Sequence, residues 1–247
     1  MSQPKRSFGR AAAAEEGSDG RRAGSMSDSR GPDSRGPDSR AAEGRGQARS
    51  LILDAAEWLF GEHGISSVSN RQIAAAAGQG NTSVVGYYFG SKDELVRALI
   101  RRFEGEAAVL RIAMLNQIDD SAELRDWVRC LVFPYTDALA ARRPPTWYAR
   151  LNAQIMADPM LRNIQLEEAS AASLQQVIHG LEISMAGLPA SVRSERALMA
   201  GHIIIQTCAD FERGLADAVP ASGKTWRKVG SGLVDALVGL WTAPVSH

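Results

Sequence analysis

Ile52, Ala55, Ala56, Leu59 and Phe60 stand three and four residues apart, on one face of a helix. Gly64 follows where a helix ends on a left-handed residue. Ser69-Asn70-Arg71-Gln72 is a capping box, in which the serine and glutamine side chains satisfy each other's orphan backbone N–H groups. Ile73, Ala76 and Ala77 give this second helix a small apolar face, and Gly78 ends it. A third short helix is predicted from Asn81 to Tyr88. Ser91-Lys92-Asp93-Glu94 is a second capping box, opening a long helix with Leu95, Leu99 and Phe103 among its apolar positions. Helices this short and this closely punctuated can bury their faces only against one another.

The rest of the chain also reads as helical. The spacing predicts helices over Ala122–Arg142, Thr146–Ala157, Asn163–Ser184, Val192–Leu215 and Thr225–Leu240. Pro144-Pro145, Asp158-Pro159, Gly187-Leu188-Pro189 and Pro220-Ala221-Ser222-Gly223 supply the breaks, and Pro134 is expected to kink the first of them. No segment alternates as a strand would, so the fold class is all-α. Residues 1–44 differ in composition: DSRGPDSRGPDSR (Asp28–Arg40) repeats a five-residue unit, and nothing there can form a core. They are expected to be a disordered tail, with Met26 a possible alternative start. The division is then 1–44 tail, 45–92 helix-turn-helix domain and 93–247 helical domain.

The formal net charge is zero, so no global field argues for a nucleic-acid partner, and any such case must rest on local charge. Cys130 and Cys208 lie far apart in a chain with no secretory signal, which points to two reduced core thiols in a cytoplasmic protein. No run reaches the ~18 apolar residues of a membrane helix.

A short helix, a glycine-bearing turn and a second short helix make a helix-turn-helix, whose second helix can enter the major groove of DNA. Asn81, Thr82 and Ser83 occupy its first turn, where short polar side chains meet base edges. Val85 is expected to face inward and Val84 to reach a thymine methyl. Gly86 disfavours a helix by ~1 kcal/mol relative to Ala, a cost that close approach of a backbone or sugar would explain. Tyr87 and Tyr88 can donate to phosphates. Lys92 is a cation at a helix N-terminus, electrostatically misplaced unless it serves an anion beside the free amides. Arg49 and Arg71 are expected to add phosphate contacts at the starts of the first two helices.

With ILDAAEWLFGEHG (Ile52–Gly64), RQIAAAAG (Arg71–Gly78) and YYFGSKDEL (Tyr87–Leu95), the stretch from Arg49 to Leu99 resembles the tetracycline-repressor (TetR) family of bacterial transcriptional regulators. The family's pattern is one residue shorter between the turn glycine and Phe89 and has His where Tyr88 stands. The resemblance implies a homodimer that binds a palindromic double-stranded DNA operator through its N-terminal domain. It also implies a helical C-terminal domain that takes a small-molecule effector and dimerises through the last two helices. Repression relieved by the effector is the expected mode, and activation on the same fold is the alternative. Thr82, Ser83 and Tyr87 would match base or backbone contacts, and Tyr88 and Lys92 phosphate contacts.

Two long apolar helices close the chain, with Leu198, Met199, Ile203, Ile204, Ile205, Phe211 and Leu215 on one and Trp226, Val229, Leu233, Leu237, Leu240 and Trp241 on the other. Together they exceed what one internal face needs, and a second copy would bury the surplus. Phe133, Trp147, Tyr148, Asn152, Met156 and His179 are the candidate effector-lining residues, aromatic, polar and soft side chains of the kind that line cavities. The four histidines show no metal-ligand spacing, and no P-loop, GxGxxG or GxSxG is present. No enzymatic activity, metal or cofactor is expected.

Overall fold

The computed structural model describes residues 37–142, 144–168, 172–216 and 225–245. Among them are ten helices: α1 (Pro37–His63), α2 (Asn70–Ala76), α3 (Val84–Phe89), α4 (Lys92–Leu115), α5 (Leu124–Ala141), α6 (Tyr148–Ala157), α7 (Pro159–Glu168), α8 (Ala172–Ser184), α9 (Ala190–Ala216) and α10 (Trp226–Thr242). No strand occurs among the described residues. Helices α1–α3 pack as a head on the first turns of α4. The remaining helices form a body in which α5 lies between α4, α8 and α10, and α6 is wedged between α1 and α9.

Three boundaries differ from the sequence reading. Residues 1–36 of the expected tail lie outside the described residues, but 37–44 are helical and open α1. Pro37 stands at the first helical position, where its missing N–H costs nothing. The single helix expected over Asn163–Ser184 is described as two, α7 and α8, on either side of residues 169–171, which lie outside the described residues. Helix α7 starts at Pro159, and Asp158 accepts the amides of Met160 and Leu161 at 2.8 and 3.2 Å, so the expected break is an N-terminal cap. Pro134 is buried within α5, whose helix runs on through it.

The body's interior centres on aromatic stacking. The Phe103 ring lies parallel to Tyr148 with centroids 3.8 Å apart, and Tyr135 meets Phe103 edge-on at 5.1 Å. Burial pushes both phenols up in pKa. Glu212 of α9, itself buried, caps α6 from a distance, accepting the backbone N–H of Arg150 at 2.9 Å and of Ala149 at 3.3 Å. Trp147, the residue before α6, has no capping side chain of its own.

Head and body meet in two places. At one, the C-terminal end of α1 seats on α6: Gln154 Nε2 donates to the Phe60 carbonyl at 2.8 Å and Gln154 Oε1 accepts from Ile65 N at 3.0 Å. Arg150 reaches Glu62 at 2.9 Å in the same seat. At the other, buried Glu57 of α1 takes Arg142 from the end of α5 at 2.6 Å on one oxygen and Arg102 of α4 at 2.7 Å on the other. Arg142 also pairs with Glu106 at 3.1 Å and lies 5.1 and 5.3 Å from the centroids of Phe103 and Tyr148. A helix of the head is thus tied to the body's aromatic centre through one guanidinium.

Candidate nucleic-acid interface

The head is built from three local signals. Ser69 accepts from Gln72 N at 3.3 Å and Gln72 Oε1 accepts from Ser69 N at 2.8 Å, so both halves of the capping box form. Gly64 and Gly78 end α1 and α2 with φ of 93° and 67°, where a Cβ would be strained. Gly80 is not left-handed; the third such glycine is Gly90, between α3 and α4, with φ of 73°. Ser91 accepts from Glu94 N at 3.1 Å, but Glu94 turns to Arg97 at 3.3 Å, so only half of the second box exists.

Helix α3 is shorter than predicted, starting at Val84. Asn81 precedes it and accepts from Ser83 N at 2.9 Å, fixing the turn. Asn81, Thr82, Ser83, Gly86 and Tyr87 are exposed, with Tyr87 at 76% of its full area. Val85 faces the core, as expected. Val84 is half-buried and packs against that core, leaving part of its side chain at the surface. Tyr88 is half-buried, edge-on to Tyr87 at 5.1 Å, and its ring braces the more exposed one. Space around Gly86 is open: no other group lies within 4 Å of where its Cβ would stand.

Lys92 departs from the sequence reading. It is half-buried, and its ammonium donates to the Ile65 carbonyl at 3.0 Å and the Val68 carbonyl at 2.8 Å, in the loop between α1 and α2. One of its three N–H groups remains for an anion. The misplacement at a helix N-terminus is thus explained by two carbonyl dipoles, which sequence spacing does not reveal. Lys92→Ala leaves both carbonyls without this donor and is expected to lower the head's stability by about 1–3 kcal/mol. Hydrogen exchange of α2 and α3 amides measures it; unchanged protection would mean that the two bonds contribute nothing.

Arginines separate by place. On the body side, Arg97 and Arg101 pair with Glu168, Arg102 and Arg142 with Glu57, and Arg125 with Asp235. Arg49 and Arg71, at the exposed side of α1 and α2, have no carboxylate partner among the described residues; the Arg49 guanidinium lies 5.0 Å from the centroid of Phe89. Exposed short polar groups, an exposed tyrosine and two guanidinium groups with no carboxylate partner among the described residues therefore share one small domain.

The candidate effector residues are not gathered in one cavity. Tyr148 is sealed in its stack, Asn152 donates to the Tyr135 hydroxyl at 3.0 Å, and Phe133 is buried beneath Arg227, 4.5 Å from its centroid. Met156 is half-buried, and His179 is exposed on α8, away from the others' interior. Only Trp147 lines either of two cavities at the α5–α6 connection. One, about 310 Å³, is bounded by Glu57, Arg102, Arg142 and Trp147, and the other, about 390 Å³, by Arg142, Pro145, Glu212 and Trp226. Sequence reasoning missed Glu57, Arg142 and Glu212, whose partners lie far away in the chain. Both cysteines are buried free thiols, and burial pushes that of Cys208 up to about 12. Among the described residues no group of three or more His, Cys, Asp or Glu is placed to hold a metal ion, and no helix is long and apolar enough to cross a membrane.

Known proteins resemble this arrangement at two levels. The family model "Bacterial regulatory proteins, tetR family" matches residues 52–99, the head and the first turns of α4. The HTH-type transcriptional dual regulator CecR of Shigella flexneri is 46% identical over 52 residues, 21% of this chain and 22% of that protein. The chain thus matches about a fifth of that curated relative's length. Over most of the molecule the likeness is one of fold. The fatty acid degradation regulator FadR from Bacillus halodurans superposes with a TM-score of 0.56 at 15% identity, covering 84% of this chain and 96% of that one. A TetR-family protein from Rhodococcus sp. gives 0.51 at 16% identity, covering 80% and 100%. Residues 52–99 thus match the tetR family of bacterial regulatory proteins in sequence, and the described helices share the fold of solved proteins of that kind.

Proposed function

We propose that the protein is a ligand-responsive transcriptional regulator that binds a palindromic operator as a homodimer, most simply as a repressor released by a small molecule. The observation that carries the reading is the exposed row Thr82, Ser83 and Tyr87, in a domain whose Arg49 and Arg71 meet no carboxylate among the described residues. Base edges meet the short polar groups, and phosphates meet the tyrosine hydroxyl, the guanidinium groups and the remaining N–H of Lys92. Exposed Leu198 and Met199 on α9 support dimerisation through the last two helices, since a second copy would cover them.

The Glu57–Arg142 tie supports a route for the effector. A molecule entering either cavity at the α5–α6 connection would touch Arg142, and any shift of that guanidinium is felt at Glu57 on α1. Coupling is reciprocal, so operator DNA would weaken the effector by the factor by which the effector weakens DNA binding.

Selection of bound duplexes from a random pool, followed by sequencing, tests the reading. An inverted repeat is the expected product; recovery of no preferred sequence would sink it. On the recovered duplex, Thr82→Ala is expected to change preference at particular base pairs by about 1–3 kcal/mol. Equal losses on all sequences would instead place Thr82 on the backbone.

A further inference from the structure

We propose that the N-terminal turns of α1, outside the matched family domain, form a second DNA surface that grips phosphates flanking the operator core through Arg45. The proposal rests on the DNA-binding reading above. Its first support is direction. The C-terminal end of α1 is fixed in the body, with Gly61 against Trp147 and Phe60 bonded to Gln154. A helix is a rigid rod, so its other end points away from the body; Arg45 lies about 24 Å from Gly61 at 1.5 Å per residue.

The second support is charge placement. Arg45 and Arg49 are four residues apart and share a face, and Arg49 lies against Phe89 at the end of α3. Phe89 itself is buried, so Arg49 closes the head at the end of α3, and Arg45 stands one turn further out on the same exposed side of α1. Ala42 and Gly46 flank it and are small, which permits close approach, while Glu43 falls on the opposite side of the helix. Residues 42–47 are all exposed, and Arg45 makes no hydrogen bond or ion pair among the described residues. Gly44 and Gly46 each disfavour the helix by about 1 kcal/mol relative to Ala, with no packing to offset it. Such a segment gains most from a partner of opposite charge, and a phosphodiester row beside α3 is in reach.

The test uses the full chain and two synthetic duplexes carrying the inverted repeat selected by the wild type, one trimmed to the repeat and one with ten added base pairs per side. Wild type is expected to prefer the longer duplex, and Arg45→Ala to lose that preference. For Arg45→Ala, the slope of log affinity against log salt should fall by about 0.9 for each lost contact. Between 50 and 200 mM salt, each lost contact makes the variant's decline roughly threefold smaller. Arg45→Lys should keep the wild-type slope, because the charge remains. An unaltered slope and length preference in Arg45→Ala overturns the arm while leaving the recognition helix intact. Failure of the wild type to select any duplex overturns the operator reading itself, and the arm with it.

Discussion

Gly61→Ala is expected to destabilise the protein by about 1–3 kcal/mol, although the same change in an open helix stabilises it by up to ~1 kcal/mol. An alanine methyl at position 61 would stand 2.6 Å from Trp147 Cβ and 2.7 Å from its carbonyl oxygen. Neither atom can rotate away, since both belong to the backbone region that starts α6. The seat of α1 on α6 must therefore open, and Gln154 must stretch its bonds to Phe60 and Ile65. Gly105→Ala in α4 is the matched control, because nothing lies within 4 Å of its added Cβ. Urea unfolding should move the two midpoints in opposite directions. If Gly61→Ala were as stable as Gly105→Ala, the close seat would be wrong. Operator affinity should also change in Gly61→Ala, since the head is re-aimed on its body.

Glu57→Ala should cost about 3 kcal/mol, the scale seen when one partner of a buried ion pair is removed. The Glu57 side chain is 8% exposed and its partners Arg102 and Arg142 are 24% and 16% exposed, so two guanidinium groups would be left poorly compensated. Asp54 and Glu106 remain beside them and soften the loss. Glu57→Gln keeps the shape and one acceptor, and is expected to fall between wild type and alanine in chemical unfolding. Because the same carboxylate ties α1 to the end of α5, Glu57→Gln should retain operator binding while flattening the response to effector. A variant that loses neither stability nor response would reduce the knot to a surface ornament.

Local signals were legible in the sequence, and distant ones were not. The Ser69–Gln72 box, Gly64, Gly78 and the inward Val85 follow from short-range chemistry, in which a few neighbouring residues decide the backbone. The start of α1 was missed because its first turns are held by no packing that an apolar period would reveal. Lys92 looked like a bare phosphate ligand because Ile65 and Val68, whose carbonyls it meets, carry no polar side-chain signal. Glu57 and Arg142 are 85 positions apart, and Arg150 and Glu212 are joined across 62. No spacing rule links such pairs. The candidate effector residues failed to converge for a related reason: aromatic and amide side chains fill a core as readily as they line a cavity, and here Tyr148 and Asn152 do the former.

The uninterrupted course of α1 from its α6 seat to its arginine-bearing tip has a mechanical consequence. A pivot of 5° at the seat would sweep the Arg45 end sideways by about 2 Å over the 24 Å span, given 1.5 Å of rise per residue. Hydrogen bonds to phosphates fade over such a distance. A displacement at the seat smaller than a bond length would thus be amplified at the tip into the difference between gripping and releasing the double helix.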